Sequence, residues 1–353
     1  MVVRATTKSE RRQLSYERLD VVSKARTDIL IVGAGPAGLF ATYYAGMRGL
    51  SVALVDSLPQ IGGQTGALYP QKYIYDVAGF PAVKGRDLIA GLSEQAMSAH
   101  PNIYLNEECV DLEDIDDGLR VTTKNGTVFE CGAVLITAGI GRFTPRPLPV
   151  VDDFSGSGID VVVADPELYA GHQVVIVGGG DSAIDWANAI VPYAAAVHVV
   201  HRRARFSAHE SSVEQLRAST AILHMNSEVS HIAGTEAVEA VTIRQARSGD
   251  EETITASTII PALGHIASLG PLTSWGLSLR DRQIEVSTDM STSRPRVYAS
   301  GDITTYPGKV SLMVVGFGEA ATAINNIAVA LRPDEDLFPG HSSEQRATAL
   351  PVA

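Results

Sequence analysis

Residues 28–56 read DILIVGAGPAGLFATYYAGMRGLSVALVD, and the order of events in that stretch decides the fold. Ile29 to Val32 form a short apolar run that suits a buried strand. A glycine turn follows, then a helical apolar pattern, then a second apolar strand ending at Asp56. Strand, turn, helix and strand in this order make a βαβ unit with parallel strands. Gly33, Gly35 and Gly38 stand at the GxGxxG positions between strand and helix. The first permits the tight turn, the second lets a pyrophosphate approach the backbone, and the third lets the helix pack closely. Helix N-terminal amides then face the phosphates. Asp56 is placed to accept hydrogen bonds from a ribose that carries no 2′-phosphate.

The same grammar returns in QVVIVGGGDSAIDWANAIVPYAAAVHVVHRR, residues 173–203, where Gly178 and His201 each lie 145 positions beyond Gly33 and Asp56. Gly178, Gly180 and Ala183 make the GxGxxA variant, with Ser182 in the first helical turn. The strand end differs, because His201, Arg202 and Arg203 replace the acid and offer cations to a 2′-phosphate. NADPH is expected here. Two dinucleotide sites of opposite ribose chemistry on one chain imply a flavin for the other, so FAD is expected on the first.

The fold class is therefore α/β, with two Rossmann-like three-layer dinucleotide-binding domains. Between the two units lie strands and turns from about Asn102 to Phe129, with Asn125-Gly126 as a hairpin turn, and a Pro-rich stretch from Thr144 to Pro149. A second connection is expected near Pro261 to Pro271, after which the chain returns to the first domain. The expected division is a basic flexible arm over 1–26, a discontinuous FAD-binding domain over 27–147 and 268–353, and an NADPH-binding domain over 148–267.

The chain has 353 residues, a net charge of −12 and two cysteines, Cys109 and Cys131. The acidic balance argues against nucleic acid, which needs basic surface. No apolar run is long enough and free enough of charge to suggest a membrane span, and the N-terminus carries charges where a signal peptide needs an apolar stretch. A cytoplasmic protein is expected. The two cysteines are too far apart for a CxxC pair and read as buried, reduced thiols.

Four segments add a resemblance: IGGQTGALYPQKYIYDVAGFP (61–81), GIGRFTPR (139–146), HRRARFSAHE (201–210) and GDITTYPGKVSLMVVGFGEAATAINN (301–326). Together they resemble the ferredoxin-NADP reductases of the thioredoxin-reductase-like type, homodimeric bacterial flavoproteins. The resemblance implies that Gln64 and Tyr69 contact the flavin, with the Tyr69 ring stacked on it, that Val110 meets the adenine end, and that Phe143 lies by the flavin site. It also implies that Asp302 bonds the ribityl chain, that a helix beginning near Gly318 aims its positive end at the flavin, and that His341 and Ser343 belong to a C-terminal segment covering the partner subunit's flavin. His341 is then the second stacking ring. No catalytic base is required, since the chemistry is hydride transfer to the flavin followed by single-electron exits to ferredoxin or flavodoxin. Ala204 and Ser207 depart from the usual pattern of an acid and a further arginine, which puts one phosphate contact in doubt.

Thioredoxin reductase shares this plan but relays electrons through a CxxC pair, whereas VVADPELYAGHQVVIVGGG (162–180) has no cysteine on the approach to the second Rossmann strand. Disulfide reduction by that route is excluded. Reduction of another small-molecule or protein acceptor, such as a monooxygenase partner, stays open, as does a flavin redox sensor. Through residue 26 the chain has seven basic residues against three acidic ones. That arm reads most simply as a solvated tail, with steering of an acidic partner as the alternative.

Overall fold

A computed structural model describes residues 2–3 and 24–340. The chain divides into two compact units, Met1–Arg142 with Ser268–Ala353 and Phe143–Ala267. The two connections between them, Arg142–Pro145 and His265–Ser268, pair as a two-stranded ribbon.

In the first unit, strand Lys24–Val32 lies between Val52–Val55 and Val128–Ile136, parallel to both. It starts at Lys24, ahead of the Asp28 that the apolar pattern suggests, because Lys24 to Thr27 continue the ladder opposite Val128 to Cys131. Asn102–Tyr104 extends the sheet in parallel beyond Val52–Val55, and Val2–Val3 closes that edge antiparallel. On the other side Val128–Ile136 serves two partners. Its first half pairs antiparallel with Gly118–Thr123 across the turn at Gly126, and its last three residues pair parallel with Val297–Ala299.

Successive side chains of a strand point to opposite faces, so an unbroken apolar strand needs cover on both. Ile29 and Ile31 pack with Leu54 and Leu135 beneath helices Pro36–Met47, Gly85–Met97 and Met313–Leu331. Leu30 and Val32 face Phe129, Leu119 and Trp275 on the opposite side. The Met313–Leu331 helix is long and apolar enough to cross a membrane. Here it buries Ala320, Ala323, Ile324 and Ile327 in the core of this unit, with Glu319 on the same face. It starts at Met313, which corrects the expected start near Gly318. Nothing in the local sequence marks that start, because the Met313 amide donates to Asp76 Oδ2 at 2.8 Å, a cap supplied from 237 residues away.

The second unit has a four-stranded parallel sheet in the order Ile222–Met225, Ala196–His201, Gln173–Gly178, Thr258–Ala262. Helices Asp181–Ile190 and Glu210–Arg217 cover one face through Ile184, Ile190 and Leu216. A three-stranded antiparallel meander, Ser227–Ala233, Ala240–Gln245 and Glu251–Thr255, covers the other through Val229, Val241 and Ile243. Helices, sheet and meander give three layers.

Candidate functional site: two glycine turns and a buried ion pair

In the first unit the Ile29–Val32 run ends in a turn that only glycine can occupy. Gly33 has φ +114°, and a Cβ there would come within 2.6 Å of the Thr137 carbonyl oxygen. A Cβ on Gly38 would lie 1.9 Å from the Gly33 carbonyl oxygen, so the helix rests directly on the turn. Gly35 precedes the first helical residue, Pro36, and its missing side chain leaves open space bounded by the Gly63 backbone at 3.9 Å. Proline at that first position fixes the entry angle and withdraws no amide that the helix needs.

Asp56 is 8% exposed. Its Oδ2 accepts the Ala34 amide at 2.7 Å and its Oδ1 accepts the Leu58 amide at 2.8 Å. Burial raises its pKa above the ordinary aspartate range, and the backbone amides of Leu58, Ala34 and Ser57 oppose that rise. Each oxygen keeps acceptor capacity for a ribose hydroxyl.

Gln64 lies in the short helix Gly63–Leu68, with its side-chain nitrogen 3.6 Å from where a Gly139 Cβ would stand. Tyr69 ends that helix, half-buried, with the Lys72 ammonium 5.8 Å from its ring centroid. Val110 occupies the bulge between Cys109 and Asp111, and its carbonyl accepts the Trp275 indole N–H at 3.4 Å. Phe143, expected beside the flavin, is the first residue of the second unit, where its ring meets His265 edge-on at 5.7 Å. Arg48, buried, ties down the chain after the last helix by donating to the carbonyls of Asp336 and Leu337. His341 and Ser343 lie just beyond, outside the described residues.

Asp302 follows Gly301 at the end of strand Val297–Ala299, beside the helix entry: a Cβ on Gly301 would stand 3.4 Å from the Ala37 Cβ. Asp302 is exposed as a residue, yet desolvation of its carboxyl by the surrounding protein raises its pKa. Glu319 and Asp76 add to the rise and Lys309 opposes it. Behind Asp302 lies a feature that the sequence motifs do not announce, a buried pair of Lys309 and Glu319 with side chains 7% and 4% exposed. The Tyr306 hydroxyl donates to Glu319 at 2.7 Å; desolvation first, and this carboxylate second, push it up to about 12. The one signal that points to the pair is a lone acid inside the apolar run MVVGFGEAATAINNIAVAL, since a charge buried on an apolar helix needs a partner.

In the second unit a Cβ on Gly178 would meet the Ala262 carbonyl oxygen at 2.3 Å, and Ala183 packs fully buried below. Gly180 precedes helix Asp181–Ile190, which places Ser182 in its first turn. The His201 ring lies flat under the turn, where a Cβ on Gly179 would come within 2.3 Å of it. Its Nε2 pairs with the Arg205 carbonyl at 3.0 Å, so that nitrogen carries the proton. Burial holds its pKa below the usual range, helped by Arg203 and Arg202. Ser207 donates through both its amide, at 2.7 Å, and its hydroxyl, at 3.2 Å, to the Gly179 carbonyl. His201 and Ser207 thus clip residues 201–207 onto the glycine turn, and Arg202, Arg203 and Arg205 stand exposed on that loop. His209 donates its amide to Asp181 at the helix start.

The residues present fit a dinucleotide in each unit. In the first, the space over Gly35 and the Asp56 carboxylate meet two needs of FAD: room for a pyrophosphate and a ribose acceptor. In the second, exposed arginines on a loop clipped to the glycine turn suit a 2′-phosphate. Cys109 and Cys131 are free and buried. Desolvation raises both thiols, Cys131 to about 12, so neither is a thiolate at neutral pH.

Comparison with known proteins agrees with the resemblance read from the motifs. The family model described as pyridine nucleotide-disulphide oxidoreductase matches residues 27–326. A ferredoxin–NADP reductase of Saccharopolyspora erythraea is 52% identical over 317 residues, covering 90% of this chain and 97% of that protein. The ferredoxin–NADP reductase of Thermus thermophilus is 46% identical over 327 residues, with 91% and 98% covered. Among solved structures, the thioredoxin reductase of T. acidophilum superposes with a TM-score of 0.71 at 26% identity, covering 86% of this chain and 98% of that one. The chain belongs to the pyridine nucleotide-disulphide oxidoreductase family and, within it, to the ferredoxin–NADP reductases.

Proposed function

We propose that this chain carries FAD on its first unit and NADPH on its second and passes electrons between NADPH and ferredoxin, with flavodoxin as an equivalent carrier. The observation that carries this is the contrast between two matched strand ends, a buried carboxylate held by amides at Asp56 and exposed arginines at 202 and 203. When bound, FAD supplies the two-electron to one-electron conversion that the reaction needs. The protein's residues bind and orient. Gly33, Gly35 and Gly38 give the pyrophosphate access to backbone amides, and Asp56 receives the adenosine ribose. Val110 lies toward the adenine end, Gln64 and Asp302 bond the flavin and its ribityl chain, and the Tyr69 ring excludes water from one face. Phe143 belongs to the same flavin region by resemblance. Gly178, Gly180, Ser182 and Ala183 hold the second pyrophosphate, Arg202 and Arg203 take the 2′-phosphate, and His201 contributes by supporting the loop that carries them.

The active form in this proposal is a homodimer in which His341 and Ser343 cover the partner subunit's flavin. Free, high-pKa thiols at Cys109 and Cys131 suit a reducing cytoplasm. Anaerobic titration of the yellow protein with NADPH, followed by cytochrome c reduction with and without ferredoxin, tests the whole. Rapid bleaching with ferredoxin-dependent turnover is expected. Prompt bleaching with no ferredoxin reduction would move the protein to another acceptor, and bleaching over minutes would favour a sensor.

A further inference from the structure

We propose that Lys309 and Glu319 are positioning residues that set the backbone ahead of Asp302 and so aim its carboxylate at the flavin; this rests on the placement of FAD given above. Six hydrogen bonds that involve a side chain join the pair, Thr304, Tyr306 and a single glycine. The Gly301 amide donates to Glu319 Oε2 at 2.7 Å. Its carbonyl accepts the Thr304 hydroxyl at 2.8 Å, the Lys309 ammonium at 3.1 Å and the Thr304 amide at 3.1 Å. Thr304 and Tyr306 hydroxyls and the Lys309 ammonium also converge on the Glu319 carboxylate. Both polar groups of Gly301 are therefore committed, in a backbone with φ +84° that a side chain would strain.

The consequence passes directly to the next residue. The Gly301 carbonyl and the Asp302 amide share one planar peptide, so fixing the carbonyl fixes the direction of the Asp302 amide and Cα. The Asp302 carbonyl is held as well, by the Gln283 side-chain amide at 2.9 Å. The backbone on both sides of the Asp302 Cα is thus held, while the residue itself is exposed. A buried ion pair is poor evidence of stability, because apolar residues of similar volume often replace one without loss. Its use here is geometric: a carboxylate and an ammonium grip the two ends of one glycine in opposite senses, which an apolar pair cannot do.

The test is FAD affinity of the full-length apoprotein, by quenching of flavin fluorescence, with the thermal midpoint of each apoprotein alongside. Glu319→Gln and Lys309→Met should each weaken FAD binding by about tenfold, and Asp302→Asn by a similar factor. Lys309→Arg, which keeps charge and donors, should stay within about threefold of the parent protein, and Thr304→Val, which removes one donor without changing charge, should lie between. The decisive variant combines Asp302→Asn with Glu319→Gln. If the pair acts through Asp302, the double variant binds FAD no more weakly than Asp302→Asn alone. Losses that multiply overturn the proposal, as does full affinity in Glu319→Gln and Lys309→Met when Asp302→Asn is impaired. An unimpaired Asp302→Asn overturns the flavin placement itself. Should Lys309→Met fail to fold, Thr304→Val with and without Asp302→Asn gives the same cycle.

Discussion

Gly38→Ala separates the two forces acting on a glycine inside a helix. By propensity alone alanine stabilises a helix interior by about 1 kcal/mol over glycine. At Gly38 the new methyl would stand 1.9 Å from the Gly33 carbonyl oxygen and 2.7 Å from Thr137 Oγ1, and the first of these is backbone. Contact at ordinary distance needs the Pro36–Met47 helix to retreat by about 1.5 Å, and overpacking of this kind costs about 1–3 kcal/mol. That same helix entry holds the turn proposed above to seat the pyrophosphate, so the cost should fall on FAD binding as well. Sterics should win over propensity, and the apoprotein should melt earlier and bind FAD roughly tenfold more weakly.

Gly91→Ala is the internal control, because Gly91 is an exposed residue of helix Gly85–Met97 with nothing within 4 Å of its would-be Cβ. There propensity acts unopposed and the substitution should raise stability by about 0.5–1 kcal/mol, with FAD affinity unchanged. Thermal melts with and without added FAD read both effects. A Gly38→Ala protein with parental melting and affinity would refute the close-approach account of the turn.

Replacing Arg202 and Arg203 by alanine should weaken NADPH far more than NADH, at roughly 1.5–3 kcal/mol per lost charge-assisted contact; equal Michaelis-constant changes for the two cofactors would mean that the phosphate sits elsewhere. Asp76→Ala removes the acceptor of the Met313 amide and should cost about 1 kcal/mol, visible as faster hydrogen exchange at the start of the Met313–Leu331 helix. His198 and His224 share a 2.9 Å contact in the second unit, and desolvation lowers both below the ordinary histidine value. The unfolded chain takes up these protons first, so their contribution is full above about pH 6.5 and is lost as pH falls through the folded values. His198→Asn should flatten the decline in melting temperature from about pH 7 to pH 5, and an unchanged slope would assign the decline to other groups.

Both Rossmann cores were legible because their signals are local. A strand of four apolar residues, a turn that excludes side chains and a helix packed on that turn are dictated within a dozen positions, as at Ile29 to Gly38. What stayed hidden is held by contacts remote in sequence. The last helix starts at Met313 because of Asp76, and no residue near Leu312 advertises it. The flat packing of His201 under Gly179 is invisible from the string HRR, which reads as three cations and turns out to be one buried ring below exposed guanidiniums. Val110 owes its place to a strand bulge, a register event that alternation of apolar residues does not encode.

The two strand ends differ in more than charge, and the difference bears on which cofactor stays. Asp56 is ordered before any ligand arrives, since two backbone amides already grip its oxygens and burial immobilises it. A ligand meeting it gives up no side-chain freedom on the protein's side, and preorganisation of that kind favours long residence. Arg202, Arg203 and Arg205 are exposed, and each loses rotamer freedom only when a phosphate arrives. Their attraction is strong at contact, screened by salt at distance and offset by ordering, which favours repeated capture and release. Raising ionic strength from about 0.05 to 0.5 M should therefore raise the dissociation constant of NADP⁺ severalfold while FAD remains bound through gel filtration. Loss of FAD at the same salt step would place the permanent site on surface charge and reverse the assignment of the two units.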